Sequence, residues 1–155
     1  MPSRQAVQSA RQLIDDRHVM TLGTASDRGA WTAPVYYYYM APKFFFFSSP
    51  DSRHVIEGLD RSRACSAAVF DDSEGIDRIQ GLQMTGKMEK VSKMSAEAGR
   101  AVLGYVRQFK LKVPASGVMA FIEEKFHAAL FSFTPEQVYY LDNSTGFGHR
   151  QEVRL

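Results

Sequence analysis

The sequence predicts a mainly β fold of the α+β class, a small antiparallel barrel of six or seven strands with three or four flanking helices. The most informative observation is the run YYYYMAPKFFFF at residues 36–47, which places four aromatic residues on each side of one short turn. Side chains alternate between the two faces of a strand, so both faces of this hairpin are apolar. We therefore expect a barrel interior on one face and a helix, a second subunit or a ligand on the other.

The other predicted elements follow from periodicity and from turn and capping residues. Apolar residues recur at helical spacing at the start of the chain, and short apolar runs bounded by turn formers follow. Serine caps and a proline mark helix starts. The predicted strands cover 18–26, 30–39, 44–47, 64–70, 79–91, 128–133 and 137–141, and the helices cover 3–16, 50–59, 95–109 and 118–126, with an acidic loop at 71–77.

Composition limits the classes of function. The 155 residues fit a single domain over 1–155, and 19 basic against 17 acidic residues without a basic cluster argue against nucleic acid as a partner. No signal peptide and no apolar run long enough to span a bilayer is evident, so no membrane partner is expected. The single cysteine, Cys65, excludes an internal disulfide, and no Cys/His cluster has zinc spacing. A cytoplasmic location is the expectation.

The segment SSPDSRH, residues 48–54, is the first candidate binding site. A strand leads here directly into a helix, and hydroxyls, backbone amides, Arg53 and His54 together suit a phosphate group. The alternative is simple helix capping. Asp51 favours that alternative, because a carboxylate in the first turn satisfies the helix dipole and repels phosphate.

The segment LDNSTGFGHR, residues 141–150, is the second candidate. Phe147 stands between two glycines, which allow the backbone to approach a ligand closely. An aromatic ring presented in this way can cover a flat ring system. The alternative is an ordinary loop with a phenylalanine that plugs the fold.

No catalytic group can be assigned from the sequence. Serine, histidine and acidic residues are present, but none has the context of a nucleophile elbow or a catalytic triad. His18 and His127 are expected to be structural, since neither has a second metal-ligand type at useful spacing. Cys65 lies in an apolar strand and is expected to be a buried, inert thiol.

The order of elements and the two candidate segments resemble the pyridoxamine 5'-phosphate oxidase-like flavoproteins, which have the FMN-binding split-barrel fold. The resemblance covers the chain from Val19 onward and includes IQGLQMTGKMEKV, residues 79–91, which is similar to the family's long fifth strand with its G-x-x-E segment. The RH pair after the third strand and the DN-x-x-GFG ending are most similar to the YhbP-type branch. A split β-barrel is therefore the expected form of the barrel.

The resemblance implies an FMN site at specific positions. It assigns Ser48, Ser49, Ser52, Arg53 and His54 to the phosphate-binding turn. It assigns Val35 and Tyr36 to the second-strand segment whose backbone follows the isoalloxazine edge. Gln83 corresponds to a side chain that reaches flavin from the partner subunit, and Arg150 to a C-terminal arginine that some relatives bring to the cofactor.

The resemblance also implies a homodimer with FMN at the interface, acting as an oxidoreductase between a reduced donor and a small-molecule acceptor. The chemistry belongs to the cofactor, so no protein acid or base is required. Leu141 stands where pyridoxamine phosphate oxidase has a tryptophan, and that reaction is not implied. The alternatives are a haem-handling split barrel that uses His149, a non-catalytic flavin carrier or sensor, and a deazaflavin protein.

Overall fold

The computed structural model describes residues 3–72, 75–115 and 117–155. The described helices are α1 (Arg4–Asp16), α2 (Arg53–Gly58), α3 (Ala96–Phe109) and α4 (Val118–Phe126), with a short 3-10 helix at Ile76–Arg78. The described strands are β1 (Val19–Ser26), β2 (Gly29–Tyr36), β3 (Tyr38–Met40), β4 (Lys43–Ser48), β5 (Cys65–Phe70), β6 (Gln80–Lys90), β7 (Ala129–Asp142) and β8 (Arg150–Glu152). Residues 73 and 74 of the predicted acidic loop lie outside this range.

The strands form one antiparallel sheet that curls into a half-barrel, which confirms the predicted fold class. Its order is β2-β1-β5-β6-β7-β4-β3, and β8 pairs with β7 beyond the point where β4 ends. Strands β2 and β4 approach each other without a ladder between them. The barrel is therefore split along the line between β2 and β4.

The aromatic hairpin has two buried faces, as its sequence predicts. Phe44 and Phe46 point into the barrel, where they join Tyr37 and Tyr39 in the main core. Phe45 packs in a second cluster against residues of α3. Tyr38 lies over α3, where a Cβ on Gly104 would overlap its ring. The second face was expected to contact a helix, a second subunit or a ligand. In the structure it packs against α3 of the same chain.

Helix α1 closes one end of the barrel. Its buried residues Ala6, Ala10, Leu13 and Ile14 all belong to the main core. The Ser3 side chain caps the helix by accepting a hydrogen bond of 3.0 Å from the Ala6 amide. The buried hydroxyl of Tyr37 donates a 2.7 Å hydrogen bond to the Ile14 carbonyl oxygen, which satisfies the polar end of an otherwise apolar side chain.

The structure corrects several of the predicted elements. The predicted strand 30–39 is two strands, β2 and β3, which are separated at Tyr37. Helix α2 begins at Arg53 and not at Pro50, because residues 49–52 form a turn in which the Ser52 amide bonds the Ser49 carbonyl at 3.1 Å. The two closing strands are one strand, β7, in which the pairing with β6 shifts between Thr85 and Gly86. Strand β8 was not predicted. Among the described residues, no helix is long and apolar enough to cross a membrane.

Candidate ligand-binding site

The turn at residues 48–54, hereafter the 48–54 turn, brings three polar side chains together. Ser48 Oγ lies 2.8 Å from His54 Nε2 and 3.3 Å from Ser52 Oγ. Ser52 Oγ donates a 2.7 Å hydrogen bond to the Ser49 carbonyl oxygen, so its own oxygen is left as an acceptor. The predicted serines and histidine thus form one hydrogen-bonded cluster at the end of β4.

Burial lowers the pKa of His54 from its ordinary value of 6.5. The cause is desolvation, which disfavours the charged imidazolium. At neutral pH the imidazole is therefore predominantly uncharged, and it acts as a hydrogen-bonding group. A ligand with a negative charge at this position would raise the pKa of His54 again, because an adjacent anion favours the imidazolium.

Arg53 connects the turn to the first residues of β2. Its Nε donates to Glu57 Oε1 at 2.8 Å, and its Nη2 donates to the carbonyl oxygens of Arg28 and Gly29 at 3.3 and 3.2 Å. Its guanidinium carbon lies 4.6 Å from the centre of the Trp31 ring. Within the part of the chain that the structure describes, Nη1 makes no hydrogen bond to protein. Arg53 is thus fixed in place with one amino group left for a ligand.

Glu57 is a buried carboxylate, 7% exposed, and is not among the residues predicted from the sequence. It accepts hydrogen bonds from Ser26 Oγ at 2.6 Å and from Thr24 Oγ1 at 2.8 Å, in addition to the Arg53 bond. The bond from Ser26, with those from Arg53 and Thr24, holds the pKa of Glu57 down to about 2. One available signal was Thr24, a polar residue that follows Met20 and Leu22 on the inward-facing side of β1.

Val35 and Tyr36 lie at the end of β2, which is an edge strand. The Val35 side chain is buried in the core, so the backbone and not the side chain faces the split. The Tyr36 side chain points outward, is 61% exposed, and meets the ring of Phe109 edge-on at 5.5 Å between centroids. Arg53 lies beside Trp31 of the same strand, so β2 and the 48–54 turn adjoin the same split. The contact is at the start of β2, and Tyr36 lies roughly 17 Å further along the strand.

Gln83 and Arg150 lie together, but elsewhere. Arg150 Nη1 donates a 3.2 Å hydrogen bond to Gln83 Oε1 on the outer face of the sheet. Gln83 belongs to β6, which is three strand spacings from β2, or roughly 14 Å along the sheet. The predicted site residues therefore form two separate groups within one chain.

The outer face of β2, β1, β5, β6 and β7 carries uncharged side chains over three successive rows of paired residues. The rows follow from the strand registers and from the burial of the alternate residues. They comprise Tyr36, Val19, Phe70, Gly81 and Leu141; Pro34, Thr21, Ala68, Gln83 and Tyr139; and Thr32, Gly23, Ser66, Thr85 and Gln137. A shallow cavity of about 390 Å³ lies on this face, with Thr21, Gln83 and Tyr139 in its wall.

The segment at residues 142–149, hereafter the C-terminal turn, holds Phe147 in solvent. Asp142 Oδ1 accepts hydrogen bonds from the Ser144 amide and hydroxyl at 2.9 and 2.6 Å. Asn143 Nδ2 donates to the Ile76 carbonyl oxygen at 2.7 Å, and Asn143 Oδ1 accepts from the Gly148 amide at 3.0 Å. Phe147 is 84% exposed, so it is not the plug of an ordinary loop.

Solved structures similar to this chain share its fold at low sequence identity. A haem-binding protein from Mycobacterium smegmatis has a TM-score of 0.70 at 17% identity, with 99% of this chain and 58% of that chain covered. An FAD-binding protein from Mesorhizobium loti has a TM-score of 0.65 at 17% identity, with coverage of 95% and 94%. A protein of the pyridoxinephosphate oxidase family from Clostridium acetobutylicum has a TM-score of 0.66 at 13% identity, with coverage of 99% and 97%.

These likenesses define the fold of the chain. It has the split-barrel fold of the pyridoxamine 5'-phosphate oxidase-like family, as the sequence resemblance predicted. The chain spans about three fifths of the length of two of the matched proteins, the mycobacterial one among them. No family model and no curated protein matches the chain. The likeness to the YhbP-type branch stays a prediction.

Proposed function

We propose that this protein binds FMN at the interface of a homodimer and acts as an oxidoreductase on a small-molecule substrate. The observation that carries the proposal is the division of the predicted site into two groups. The 48–54 turn and the edge of β2 form one group, and Gln83 with Arg150 forms the other. Neither group encloses a ligand alone, but two copies of the chain supply both groups to each of two sites.

The outer face supports the pairing of two copies. Tyr36 and Arg150 lie at opposite ends of the same row of paired residues. A two-fold axis that runs parallel to β5 above this face exchanges the two ends of each row. It would therefore place Tyr36 of one copy over the Arg150 margin of the other. The uncharged rows between them supply a surface that can be buried without leaving unpaired charges. Each copy would thereby bring Gln83 and Arg150 to the partner's β2 edge.

The donor set of the first group fits a flavin phosphate. Ser48 and His54 lie within hydrogen-bonding distance of each other, and the neighbouring residue in the chain, Arg53, is fixed by Glu57 with Nη1 unbonded by the described residues. Ser49 and Ser52 add hydroxyl groups to the same turn. The backbone of Val35 and Tyr36 offers edge-strand groups to the ring, while Gln83 and Arg150 offer polar groups from the partner. When bound, FMN accepts a hydride or electrons from a donor and passes them to an acceptor.

The first test is an absorption spectrum of the purified protein before and after addition of FMN, with the released chromophore identified by mass. One FMN per subunit, with the two flavin bands, is the expected result. A colourless protein whose spectrum does not change with FMN would rule out the proposal. A bound flavin that no nicotinamide reduces faster than free FMN would leave binding intact and assign the protein as a flavin carrier or sensor.

Haem binding is the second candidate function. His149 is exposed in the C-terminal turn, where its Nδ1 lies 3.4 Å from Thr145 Oγ1 and its Nε2 can ligate a metal. One of the similar structures is a haem-binding protein. Titration with haem separates the two candidates: a Soret band that His149→Ala abolishes supports haem, and its absence from the wild-type titration removes this candidate.

A further inference from the structure

Phe147 is exposed to solvent in a turn that is held by several hydrogen bonds. It has no role in the FMN site proposed above. Among the described residues it is the most exposed aromatic side chain, at 84%. An exposed phenylalanine forgoes the burial that normally stabilises such a side chain by about 1.5 to 3 kcal/mol. A frayed segment would explain the exposure without any function, but the C-terminal turn is not frayed.

Hydrogen bonds close the C-terminal turn on itself and tie it to the neighbouring segment at residues 76–79. The Asn143 amide donates to the Ile79 carbonyl oxygen at 3.0 Å, and the Asp142 amide donates to the His149 carbonyl oxygen at 3.2 Å. Gly146 and Gly148, on either side of Phe147, have φ of 150° and 71°, which side-chain-bearing residues rarely adopt. Gly146, Gly148 and the hydrogen bonds of Asn143 thus hold the turn in a conformation that leaves the Phe147 ring exposed.

Phe147 precedes, by three residues, a strand at the margin of the outer face. Three residues later, Arg150 pairs with Leu141 in β8 and reaches Gln83 on that face. In the dimer proposed above, the Arg150 margin of one copy lies over the β2 edge of the other. The C-terminal turn, which immediately precedes Arg150, is thereby brought to the partner's site.

We propose that Phe147 of one copy covers the ring of the flavin held by the β2 edge and the 48–54 turn of the second copy. The inference rests on the proposed function and adds a ring-positioning residue to the site. In this arrangement one face of the flavin ring lies against the β2 edge, and the Phe147 ring covers the other face. Offset stacking on a flavin suits a phenylalanine held in a fixed orientation, because little side-chain entropy remains to be lost.

The first experiment measures FMN affinity and dissociation rate by flavin fluorescence in the wild-type chain, Phe147→Ala, Phe147→Tyr and Phe126→Ala. Phe147→Ala is expected to weaken FMN binding about tenfold and to increase quenching of flavin fluorescence by iodide, as for the loss of one aromatic stacking partner. Phe147→Tyr should retain wild-type affinity. Phe126→Ala is the matched control, since Phe126 is also exposed, at 59%, but lies on α4.

The second experiment tests delivery from the partner by mixing two defective chains. One carries Arg53→Ala with His54→Ala, and the other carries Phe147→Ala, so a site built from two copies is restored only in the mixed dimer. Statistical mixing of equal amounts should restore about a quarter of all sites to wild-type affinity. A site built within one chain gives no restoration.

The outcomes are distinguishable. If the wild-type chain does not bind flavin, the proposed function fails and the inference falls with it. If the wild-type chain binds flavin and Phe147→Ala binds it equally well, only the inference fails. A Phe147→Ala chain that is monomeric would make Phe147 a dimer contact and overturn its role in covering the flavin ring. The absence of restored sites in the mixture of the two defective chains would also overturn that role.

Discussion

At the scale of single residues, Glu57 explains how the 48–54 turn is joined to the barrel. Its carboxylate collects hydrogen bonds from Thr24 and Ser26 on β1 and from Arg53 on its own helix. Three donors compensate for burial of the charge, as a buried carboxylate requires. Arg53 in turn bonds the carbonyl oxygens at the start of β2. One acid thus holds together a helix and both strands of the first hairpin.

The substitution Glu57→Gln is expected to destabilise the fold in a pH-dependent way. The pKa of Glu57 is lowered from 4.5 to about 2, so the folded chain binds this proton less readily than the unfolded chain. Its contribution to the free energy of unfolding is complete above pH 4.5 and is lost as the pH falls towards 2. Urea unfolding should therefore show a difference between wild type and variant that shrinks across this interval. A difference independent of pH would contradict the assignment.

The double substitution Arg53→Ala with His54→Ala is expected to weaken FMN binding by roughly 2 to 5 kcal/mol, if both side chains make charge-assisted bonds to the phosphate. Isothermal titration with FMN measures the loss. Because Arg53 also pairs with Glu57, the control is His54→Ala alone, which leaves the 2.8 Å bond between Arg53 and Glu57 intact. Unchanged affinity in the folded double variant would remove the phosphate assignment.

At the scale of elements, β6 and β7 form the longest ladder of the sheet, and it contains one irregularity. Thr85 pairs with Gln137 and Gly86 with Pro135, so Glu136 is an extra residue on β7. A Cβ on Gly86 would clash with the Thr134 carbonyl oxygen and would also meet Pro135 Cα at 2.9 Å. Gly86 is therefore required by close backbone approach at the bulge.

We expect Gly86→Ala to lower the free energy of unfolding by about 1 to 3 kcal/mol, because the backbone of β7 must shift to admit the methyl group. Gly99→Ala is the control: Gly99 lies in α3, nothing lies within 4 Å of a Cβ built there, and a gain of about 0.5 to 1 kcal/mol is expected. Urea unfolding of both variants measures the two effects. Equal stability of the two variants would argue against the close approach.

Elements with a strong local pattern were predictable from the sequence, and those that depend on distant partners were not. Helix α4 spans Val118–Phe126 as predicted, because apolar spacing and the preceding glycine mark it locally. The proline at the bulge made β7 look like two strands, since an internal proline normally interrupts a ladder. Strand β8 has three residues and is defined by its pairing with β7 alone.

The same distinction between local patterns and distant partners applies to the candidate site. The hydroxyls, Arg53 and His54 lie within seven consecutive residues, so their cluster could be expected from the sequence. Glu57 was harder to predict, because its partners Thr24 and Ser26 are 33 and 31 residues away. The only signals were the inward-facing Thr24 and the i,i+4 spacing of Glu57 to Arg53. The pairing of Gln83 with Arg150, 67 residues apart, likewise depends on the position of β8.

At the scale of the whole molecule, the uncharged outer face is what motivates a dimer. The aromatic hairpin does not need a second subunit, since α3 of the same chain covers its second face. The first of its three rows contains Tyr36 and Phe70, which are 61% and 57% exposed. A stable dimer buries about 1,200 Å² or more of total surface, and a five-stranded face can supply this area.

The wild-type chain is expected to have the mass of a dimer in light scattering at micromolar concentration. Ala68→Arg places a charge in the middle row of the outer face and should give a monomer that also loses FMN, because an unpaired buried charge is costly. Met94→Arg is the control, since Met94 is 88% exposed and lies before α3, away from this face. A wild-type monomer, or a dimer that survives Ala68→Arg, would refute this arrangement.

The aromatic hairpin leaves the ribosome well before the segments that cover it. Helix α3 begins at Ala96 and the partner strand β7 at Ala129. These starts are about 50 and 80 residues after Phe47, which corresponds to roughly 2 to 16 s of synthesis at about 5 to 20 residues per second. During that interval the nascent chain exposes a segment of high β propensity whose single charge is Lys43, the kind of segment that aggregates. Residues 36–47 are therefore at risk of aggregation during translation until α3 and β7 cover them.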